Sequence, residues 1–534
     1  MSAARERPRA RPASRPEAPP AALLQAPAAL LQRVDLHRAQ ASRRIDPARR
    51  SELGQFLTPP RLAAFMASLF QELGGSVRVL DAGAGVGTLT AALVAEACSR
   101  PEPPTDILAV GYELDPVLVN TFSKVLRACR EACRAAGVAF RGRAVRADFI
   151  AAAVEELSLP RPRARFSHAI LNPPYRKLGA RSATRRALRR AGVETSNLYA
   201  AFLALAVRVL APGGELVAIT PRSFCNGPYF RAFRELFLRE MSLRRVHVFE
   251  SRSAAFADDD VLQENVVLCG VKGAPPGAVL VSSSRGPGDG PTAARRVPYA
   301  EVVRPDDPER FIHVVPDRAG KDVADTFARL PARLEDLGVS ISTGKVVEFR
   351  IRELLRPDPG ADTAPLIYPA HLEAGVVRWP KHGKKPDALV DCAATAHLWM
   401  PRGTYVVVKR FSSKEERRRI TAAVFDPAVV PCARVGFENH LNVFHRRGAG
   451  LPPLLARGLR AFLSSTLVDT YFRQWSGHTQ VNAADLRNLT YPPLEAIERL
   501  GARAGDSALG QREIDSAVEE ALGGRAAGGG PRAT

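Results

Sequence analysis

The chain has 534 residues, 46% of them hydrophobic, which is enough for two domains with real cores. Its formal net charge of +21 favours a polyanionic partner. No apolar stretch approaches the roughly eighteen residues of a membrane span. The seven cysteines are odd in number and scattered, which argues against a disulfide framework or a zinc site and fits a reducing cytoplasm.

The two ends of the chain differ in composition from the rest. The start is rich in Arg and Pro and has no apolar run, which argues against a secretory signal. We therefore expect a disordered basic tail over residues 1–28. The glycine-rich end predicts a second disordered tail over residues 522–534.

Three segments lie between the tails. Residues 29–273 open with a helical lead-in and then alternate strand and helix patterns, which predicts a doubly wound, Rossmann-like α/β sheet. Residues 274–295 are rich in Gly, Pro and Ser and predict a linker. Residues 296–521 mix strand and helix patterns with many Lys and Arg, which predicts a C-terminal α+β domain. In a doubly wound sheet, ligands bind at the carboxyl ends of the strands.

A glycine-rich turn follows the first strand pattern and leads into a helix. Glycines let the backbone approach a ligand closely, and a helix N-terminus presents free N–H groups. A G-x-G-x-G turn after an acidic residue resembles motif I of S-adenosylmethionine-dependent methyltransferases. The resemblance implies cofactor contacts from Asp81, Ala82, Gly83 and Gly85.

Acidic residues also end the next two strand patterns. Glu113 stands where a ribose diol is held in such sheets. Asp148 is placed to accept a hydrogen bond from the adenine amino group of the cofactor, and Phe149 is placed to pack on that ring. The alternative for Glu113 is a solvated strand end.

The fourth strand pattern ends in the tetrapeptide Asn172-Pro173-Pro174-Tyr175. The prolines restrict the backbone and remove two N–H groups, so the segment offers hydrogen-bond acceptors beside an aromatic ring. An exocyclic amino group on a flat ring fits this arrangement, since its two hydrogens can go to the Asn172 side-chain oxygen and the Pro173 carbonyl. Tyr175 would stack on the ring.

Taken in order, these motifs resemble the γ-class DNA adenine-N6 methyltransferases of restriction–modification systems, the TaqI-like and PstI/BsuBI-type group. The stretch from Gly54 to Met66 resembles the opening motif of that family, which implies that Phe56 and Thr58 cap the cofactor pocket. Phe256 matches the aromatic that contacts the other face of the target base, although it could equally be a core residue.

The resemblance implies that double-stranded DNA is the polyanionic partner. A basic run without acids follows the tetrapeptide, and we expect it to lie on the DNA backbone. Its arginines include Arg181, Arg185, Arg186, Arg189 and Arg190.

The C-terminal domain is expected to recognise the DNA sequence. The runs Tyr405–Arg419 and Arg473–Arg487 resemble the PstI/BsuBI-type enzymes. Phosphate contacts position a protein and base contacts specify the sequence, and the chain alone does not assign residues to either class. The candidates for DNA contact are Lys345, Arg350, Lys409, Arg410 and Lys414. Asn439, His440, Gln480 and Asn482 are further possibilities, and the histidine could also be an ordinary loop residue.

The reaction implied is methyl transfer from S-adenosylmethionine to N6 of an adenine that has left the duplex stack. Three alternatives are a glutamine-N5 methyltransferase, an RNA methyltransferase and a non-enzymatic specificity protein. The basic C-terminal domain argues against the first, the opening motif and C-terminal runs against the second, and the intact glycine turn and tetrapeptide against the third. No nuclease constellation is evident, so a separate restriction endonuclease is the expected functional companion.

Overall fold

The structure is a computed structural model that describes residues 21–44, 56–160, 166–250, 264–412, 416–476, 480–505 and 509–523. Two expected site residues, Phe256 and Lys414, lie outside this part of the chain, as do residues 1–20 and 524–534 of the expected tails. Within the described residues, no helix is both long and apolar enough to cross a membrane.

The first unit is built on a large sheet, to which the described residues contribute nine strands in the order β3-β2-β1-β4-β5-β7-β6-β8-β9. Strands β1 to β5 run parallel, and the antiparallel β7 joins them to the remaining strands. The strand order reverses between β1 and β4, where doubly wound sheets bind ligands. The strands β1 to β9 span Ser76–Ala82, Asp106–Glu113, Ala139–Arg146, Phe166–Leu171, Leu210–Pro221, Met241–Phe249, Asn265–Lys272, Val279–Ser284 and Ala293–Val297.

Helices cover both faces of this sheet, and each face has its own apolar core. This architecture confirms the predicted doubly wound α/β fold. Inner strands such as β7 are nearly continuous apolar runs because both of their faces are buried, whereas the edge strand β3 carries three arginines and is only partly buried. The helices of this unit span Ala21–Ser42, Pro60–Ala67, Thr88–Ser99, Pro116–Ala135, Phe149–Leu157, Ala183–Arg190, Leu198–Val209 and Arg231–Glu240.

The prediction of a linker over residues 274–295 is wrong. This range contains β8 and the start of β9, which extend the large sheet. The serines that suggest a linker lie in a strand because His247 satisfies two of their hydroxyls, with Nδ1 2.9 Å from Ser282 Oγ and Nε2 3.0 Å from Ser284 Oγ. The apolar core continues to Val314, so the first unit ends later than the predicted boundary at residue 296.

The prediction of disorder is also wrong for residues 21–28, which belong to the helix Ala21–Ser42. Ala and Leu dominate this segment, and their helix propensity outweighs the single proline within it. At the other end, Leu522 and Gly523 close the last helix and do not belong to a disordered tail.

The second unit contains two smaller sheets and a group of helices. Its described strands form sheets in the orders β10-β20-β17-β18-β14-β13 and β11-β15-β12-β19-β16. Strands β10 to β20 span Ser340–Thr343, Leu355–Arg356, Thr363–Ile367, Leu372–Glu373, Val376–Val377, Ala388–Val390, Trp399–Pro401, Tyr405–Lys409, Ala422–Phe425, Arg434–Phe437 and Leu441–His445. The helices span Tyr299–Val302, Arg318–Ala328, Pro453–Leu463, Thr466–Trp475, Ala483–Arg487, Leu494–Ala504 and Gln511–Ala521, the first of them at the junction between the units.

Polar contacts join the two units. The buried Arg222, just after β5, forms an ion pair with Glu264 at 3.3 Å and donates a hydrogen bond to the Gln474 carbonyl. The Gln474 side chain in turn donates to the Gly320 carbonyl at 2.6 Å. The helix Thr466–Trp475 is thereby tied to the edge of the large sheet that carries the strand ends.

Two helices of the second unit cross at glycines. A Cβ added to Gly458 would lie 1.9 Å from the Ile497 carbonyl oxygen, and one added to Gly501 would lie 1.9 Å from the Leu454 carbonyl oxygen. The backbones of Pro453–Leu463 and Leu494–Ala504 therefore pack too closely for any side chain at these positions.

We predict that Gly458→Ala lowers the free energy of unfolding by about 1–3 kcal/mol, the usual effect of overpacking. The sign of this change tests the close packing, because Gly→Ala inside a helix otherwise raises the free energy of unfolding by up to about 1 kcal/mol. Chemical denaturation measures the change. Gly74→Ala is the control, since its added Cβ meets no atom within 4 Å. An equal stability of the two variants would contradict the close crossing.

Candidate functional site

An open pocket lies at the carboxyl ends of β1 to β4, and its empty space of about 880 Å³ includes the solvent at its mouth. Most of the predicted site residues line it, namely Phe56, Gly83, Gly85, Glu113, Asp148, Phe149, Asn172 and Pro174. The other described ones, Thr58, Asp81, Ala82, Pro173 and Tyr175, bond to lining residues or adjoin them in sequence.

The glycine turn needs its glycines for backbone conformation. Gly83, Gly85 and Gly87 have φ values of 74°, 56° and 85°, which other residues rarely adopt. A Cβ at Gly87 would also lie 2.1 Å from the Phe122 ring. The turn therefore holds the N-terminus of the helix Thr88–Ser99 close to the pocket.

Asp81 lies behind the turn and is completely buried. Its Oδ2 accepts hydrogen bonds from the Thr90 hydroxyl at 2.6 Å and the Thr90 N–H at 3.2 Å. Burial raises the pKa of Asp81 to about 7, and the nearby Glu113 carboxylate adds to the rise. Its Oδ1 is buried without a hydrogen-bond partner among the described residues. Asp81 thus orders the turn and retains one unsatisfied acceptor.

Glu113 joins the end of β2 to the glycine turn. One carboxylate oxygen accepts the Gly85 N–H at 2.9 Å, and the other accepts the N–H groups of Leu114 and Asp115 at 2.8 and 3.0 Å. Burial raises the pKa of Glu113, and these backbone donors oppose the rise. The carboxylate is held rigidly at the pocket wall, where the expected ribose contact requires it.

Asp148 caps the helix Phe149–Leu157 with one oxygen, which accepts the Ile150 N–H at 2.8 Å. Its other oxygen has no hydrogen-bond partner among the described contacts, and the residue lines the pocket. The Phe149 ring is buried between Tyr112 and Phe202, with ring centroids 5.5 and 5.3 Å away. Together these residues form an apolar wall with a carboxylate at its rim, which suits a flat ring with an amino group.

The amide of Asn172 has a defined orientation. Its nitrogen donates to the Phe56 carbonyl and to the Thr58 hydroxyl, both at 3.1 Å. Its oxygen accepts the Tyr175 hydroxyl at 3.2 Å. Because both amide hydrogens have acceptors within the protein, the oxygen is the end of the amide that is left to accept from a substrate.

Other residues of the site have no recognisable signal in the sequence. Tyr112, Arg176, Thr184 and Phe202 line the pocket, and their positions depend on how distant segments pack. The opening motif predicts that Thr58 caps the cofactor pocket, but its hydroxyl instead contacts Asn172. That contact spans 114 residues of sequence.

The basic run after the tetrapeptide is only partly available to a partner. Arg185 and Arg189 both form ion pairs with Glu194, at 2.5 and 2.8 Å. The Arg186 side chain is exposed and donates to the Arg181 carbonyl at 2.6 Å. The side chains of Arg181 and Arg190 are exposed and make no ion pair among the described residues.

Several candidates for DNA contact in the second unit lie side by side. Backbone hydrogen bonds join Val346 to Asn439 at 2.8 Å, Arg410 to His440 at 2.8 Å, and Val481 to Arg410 at 2.7 Å. Lys345, which precedes Val346, and Gln480, which precedes Val481, therefore belong to the same cluster. We call Lys345, Arg410, Asn439, His440 and Gln480 the recognition cluster.

The other described candidates are placed differently. Asn482 precedes the helix Ala483–Arg487, and its side-chain amide donates to the Asp485 carboxylate at 3.2 Å. Lys409 forms an ion pair with Glu416 at 2.8 Å, which reduces its availability for phosphate. Arg350 is exposed, with its guanidinium 5.6 Å from the centre of the exposed Phe349 ring. Neither Lys409 nor Arg350 shares a side-chain hydrogen bond with the recognition cluster among the described contacts.

Comparison with known proteins identifies the family. A family model described as Eco57I restriction-modification methylase matches residues 147–256. The Type II methyltransferase M.PstI of Providencia stuartii is 43% identical over 94% of this chain and 99% of its own. The Type II methyltransferase M.BsuBI of Bacillus subtilis is 43% identical over 89% of this chain and 94% of its own. The chain belongs to the Type II methyltransferases of restriction–modification systems.

A solved structure supports the fold of this methyltransferase. The Type IIL restriction-modification enzyme MmeI, solved in complex with DNA, aligns with a TM-score of 0.50 and 11% identity. The alignment covers 96% of this chain and 76% of that one. The family confirms the resemblance inferred from the motifs, with methyl transfer as the activity and S-adenosylmethionine as the cofactor.

The pocket residues fit that cofactor. Glu113 and Asp148 line the pocket, and backbone donors fix the Glu113 carboxylate. Asp81 lies behind the turn and has a buried oxygen without a partner among the described residues. These oxygens are acceptors, which suits a ligand that carries hydroxyl and amino donors.

We predict that Gly85→Asp abolishes cofactor binding measured by calorimetry. An added Cβ would lie 3.2 Å from Leu57, and the new carboxylate would occupy the pocket beside Glu113. The positive φ of this residue adds backbone strain. Gly290→Ala, whose Cβ meets no atom within 4 Å, is the control. Unchanged affinity in a folded Gly85→Asp protein would contradict the placement of the cofactor.

Proposed function

We propose that this methyltransferase transfers a methyl group from S-adenosylmethionine to N6 of an adenine flipped out of duplex DNA, and that it protects sites from a separate restriction endonuclease. The supporting observation is the orientation of Asn172, which lines the pocket and has only its oxygen left for a substrate because Phe56 and Thr58 accept both amide hydrogens. An acceptor at this position selects a substrate that donates hydrogens, such as an exocyclic amine.

Asn172 aligns the amine and does not act as a base. The amide oxygen and the Pro173 carbonyl together accept the two hydrogens of N6, which directs the nitrogen lone pair toward the cofactor pocket. An amide is a very weak base, so the proton leaves only as or after the nitrogen becomes positively charged. The cofactor, when bound, supplies the electrophilic methyl group.

Tyr175 provides an aromatic surface for the flipped base. Its ring lies 5.8 Å from Phe56 and 6.1 Å from Tyr199, measured between ring centres. Burial raises the pKa of Tyr175, so its hydroxyl stays protonated at neutral pH. The hydroxyl donates to Asn172 in this structure, at the same oxygen that we assign to the N6 amine.

The site residues act as a connected group. Phe56 lines the pocket with its side chain and accepts from Asn172 with its carbonyl. Pro174 lines the same pocket, and a Cβ at Gly83 would lie 3.8 Å from it. The amine-binding and cofactor-binding groups are therefore in direct contact, as an in-line transfer between two bound partners requires. We place Phe256, by resemblance, on the other face of the base.

DNA binding is assigned to the exposed arginines after the tetrapeptide and to the second unit. We propose that Arg181, Arg186 and Arg190 neutralise phosphates beside the flipped base. The recognition cluster is our proposed site of base readout.

We predict that purified protein with labelled cofactor methylates duplex DNA and that nucleoside mass spectrometry identifies N6-methyladenine. N4-methylcytosine, another methylated exocyclic amine, would contradict the proposed target. Asn172→Ala should lose nearly all activity with cofactor affinity unchanged. Thr58→Val should slow the single-turnover rate roughly tenfold or more, because it leaves a buried amide hydrogen without its acceptor. Thr58→Ser should restore the rate.

The same assay separates alignment of the amine from stacking of the base. Base–aromatic stacking is worth about 1–3 kcal/mol, so Tyr175→Ala should slow methylation of paired DNA by roughly ten- to a hundredfold. Tyr175→Phe should remain within a few-fold of the wild type. A mismatch opposite the target adenine should recover part of the loss in Tyr175→Ala but not in Asn172→Ala. Equal recovery of the two variants would contradict the assignment of base stacking to Tyr175 and amine alignment to Asn172.

We predict that replacing Arg181, Arg186 and Arg190 by Gln weakens binding to all DNA sequences alike. The slope of log K against log salt should flatten by about 0.9 for each phosphate that the protein no longer neutralises. Equilibrium binding at several salt concentrations measures it. The control replaces Arg127, Arg130 and Arg134, which are exposed on the helix Pro116–Ala135 that runs away from the strand ends. Selective loss of cognate binding, or an equal effect of the control, would contradict the assignment.

A further inference from the structure

Tyr229 is an unusual surface residue. Its side chain is 80% exposed, the highest value for any large hydrophobic residue in the described part of the chain. Tyrosine combines an apolar ring with a polar hydroxyl and is enriched where proteins contact partners, so an exposed tyrosine close to a candidate active site is a candidate for burial in a complex.

The position of Tyr229 connects it to the catalytic site. It belongs to a loop that begins where β5 ends, and β5 pairs in parallel with β4, the strand that leads to Asn172. The neighbouring Phe230 stacks on Tyr199, with ring centres 5.5 Å apart and an interplanar angle of 29°. Tyr199 in turn contacts Tyr175. A row of aromatic rings thus connects Tyr175 of the tetrapeptide to Phe230, the residue that follows Tyr229.

The loop that presents Tyr229 is held rigidly. Arg234 is fully buried and donates to the carbonyls of Phe224 and Gly227 at 3.0 and 2.7 Å. A third bond, to the Glu309 carbonyl at 2.9 Å, ties the same guanidinium to the last segment of the first unit. Burial lowers the pKa of Arg234 to about 10, which leaves it cationic at neutral pH.

Burying the Arg234 guanidinium costs hydration free energy, and its hydrogen bonds restrict the loop. A buried cation is tolerated only where hydrogen bonds and an opposite charge compensate its lost hydration. Here Glu309 supplies the charge, at 3.6 Å. The turn is also tight, since a Cβ on Gly227 would lie 2.6 Å from the Ser223 carbonyl oxygen. The backbone that carries Tyr229 is therefore fixed before binding, so little conformational entropy is lost when a complex forms.

We propose that Tyr229 enters the duplex where the target adenine has left and stacks in the vacated space. This inference rests on the proposed function, since it requires a flipped base. Flipping leaves a gap that interrupts the base stack, and a flat ring on a rigid loop compensates part of the lost stacking. Tyr175 then stacks on the extruded base while Tyr229 fills the gap in the duplex. The rings of Tyr199 and Phe230, which lie between them, fix the distance from one to the other.

The experiment follows flipping directly, without relying on catalysis. After the methylated sequence has been mapped, 2-aminopurine replaces the target adenine, and its fluorescence reports unstacking. The wild type should raise the fluorescence on binding. Tyr229→Ala should shift the flipping equilibrium back toward the stacked state by roughly ten- to a hundredfold, the range for loss of one stacked ring. Tyr229→Phe should keep the wild-type signal, because the ring is retained.

A matched control separates insertion from general surface contact. Phe349 is 66% exposed in the second unit, and Phe349→Ala at saturating protein should leave the fluorescence amplitude unchanged. A mismatch at the target should restore the Tyr229→Ala signal. The unfolding midpoint of each variant checks that the loop change does not disturb the fold.

Two results would overturn the inference. One is a Tyr229→Ala protein that reaches the wild-type amplitude, even if its affinity is lower, since Tyr229 would then contact DNA outside the stack or bind another partner. The other is a Tyr229→Phe protein that behaves like Tyr229→Ala. Failure of the proposed function is distinguishable, because in that case the wild type itself makes no N6-methyladenine.

Discussion

The amide of Asn172 can present only one of its two ends to a substrate, and the rest of the site depends on which end that is. Two acceptors from the opening segment, the Phe56 carbonyl and the Thr58 hydroxyl, bind its nitrogen and leave its oxygen as the end that can accept from a substrate. A reversed amide would point donors at an amine, which also donates. The segment before the sheet therefore belongs to the catalytic apparatus, although it is distant from the tetrapeptide in sequence. The prolines complete the arrangement, since they leave only acceptors on the nearby backbone.

A related constraint applies to the cofactor side of the pocket. Its carboxyl groups must keep their positions while charged ligands bind and leave. Glu113 achieves this with three backbone N–H donors, one of them from Gly85 within the glycine turn. Asp81 is more deeply buried, and this burial disfavours its charged form and so raises its pKa. A cationic ligand would favour ionisation of Asp81. Cofactor binding and the order of the turn are therefore expected to depend on each other through these two residues.

Local motifs are readable in the sequence and long-range contacts are not. The glycine turn, the acidic strand ends and the tetrapeptide are short runs whose composition limits their conformation, and all of them lie at the predicted edge of the sheet. The contact between Thr58 and Asn172 spans 114 residues, so no local sequence pattern predicts it. The serines of β8 suggest a linker because their partner, His247, lies on another strand. Likewise, Glu194 neutralises two arginines of a run that looks uniformly basic.

The two late runs that resemble PstI/BsuBI-type enzymes share one interior. The buried Arg419 donates to the Ser476 hydroxyl at 3.2 Å, and Arg473 donates to the Glu416 carbonyl at 2.9 Å. Basic residues engaged in this way support the architecture of the second unit and are poorly placed to contact DNA. Charge in the sequence is therefore a weak guide to the DNA surface. Four separate segments bring the side chains of the recognition cluster together. These side chains can differ between enzymes of one architecture, and under the proposed readout such variation would change the target without altering the chemistry.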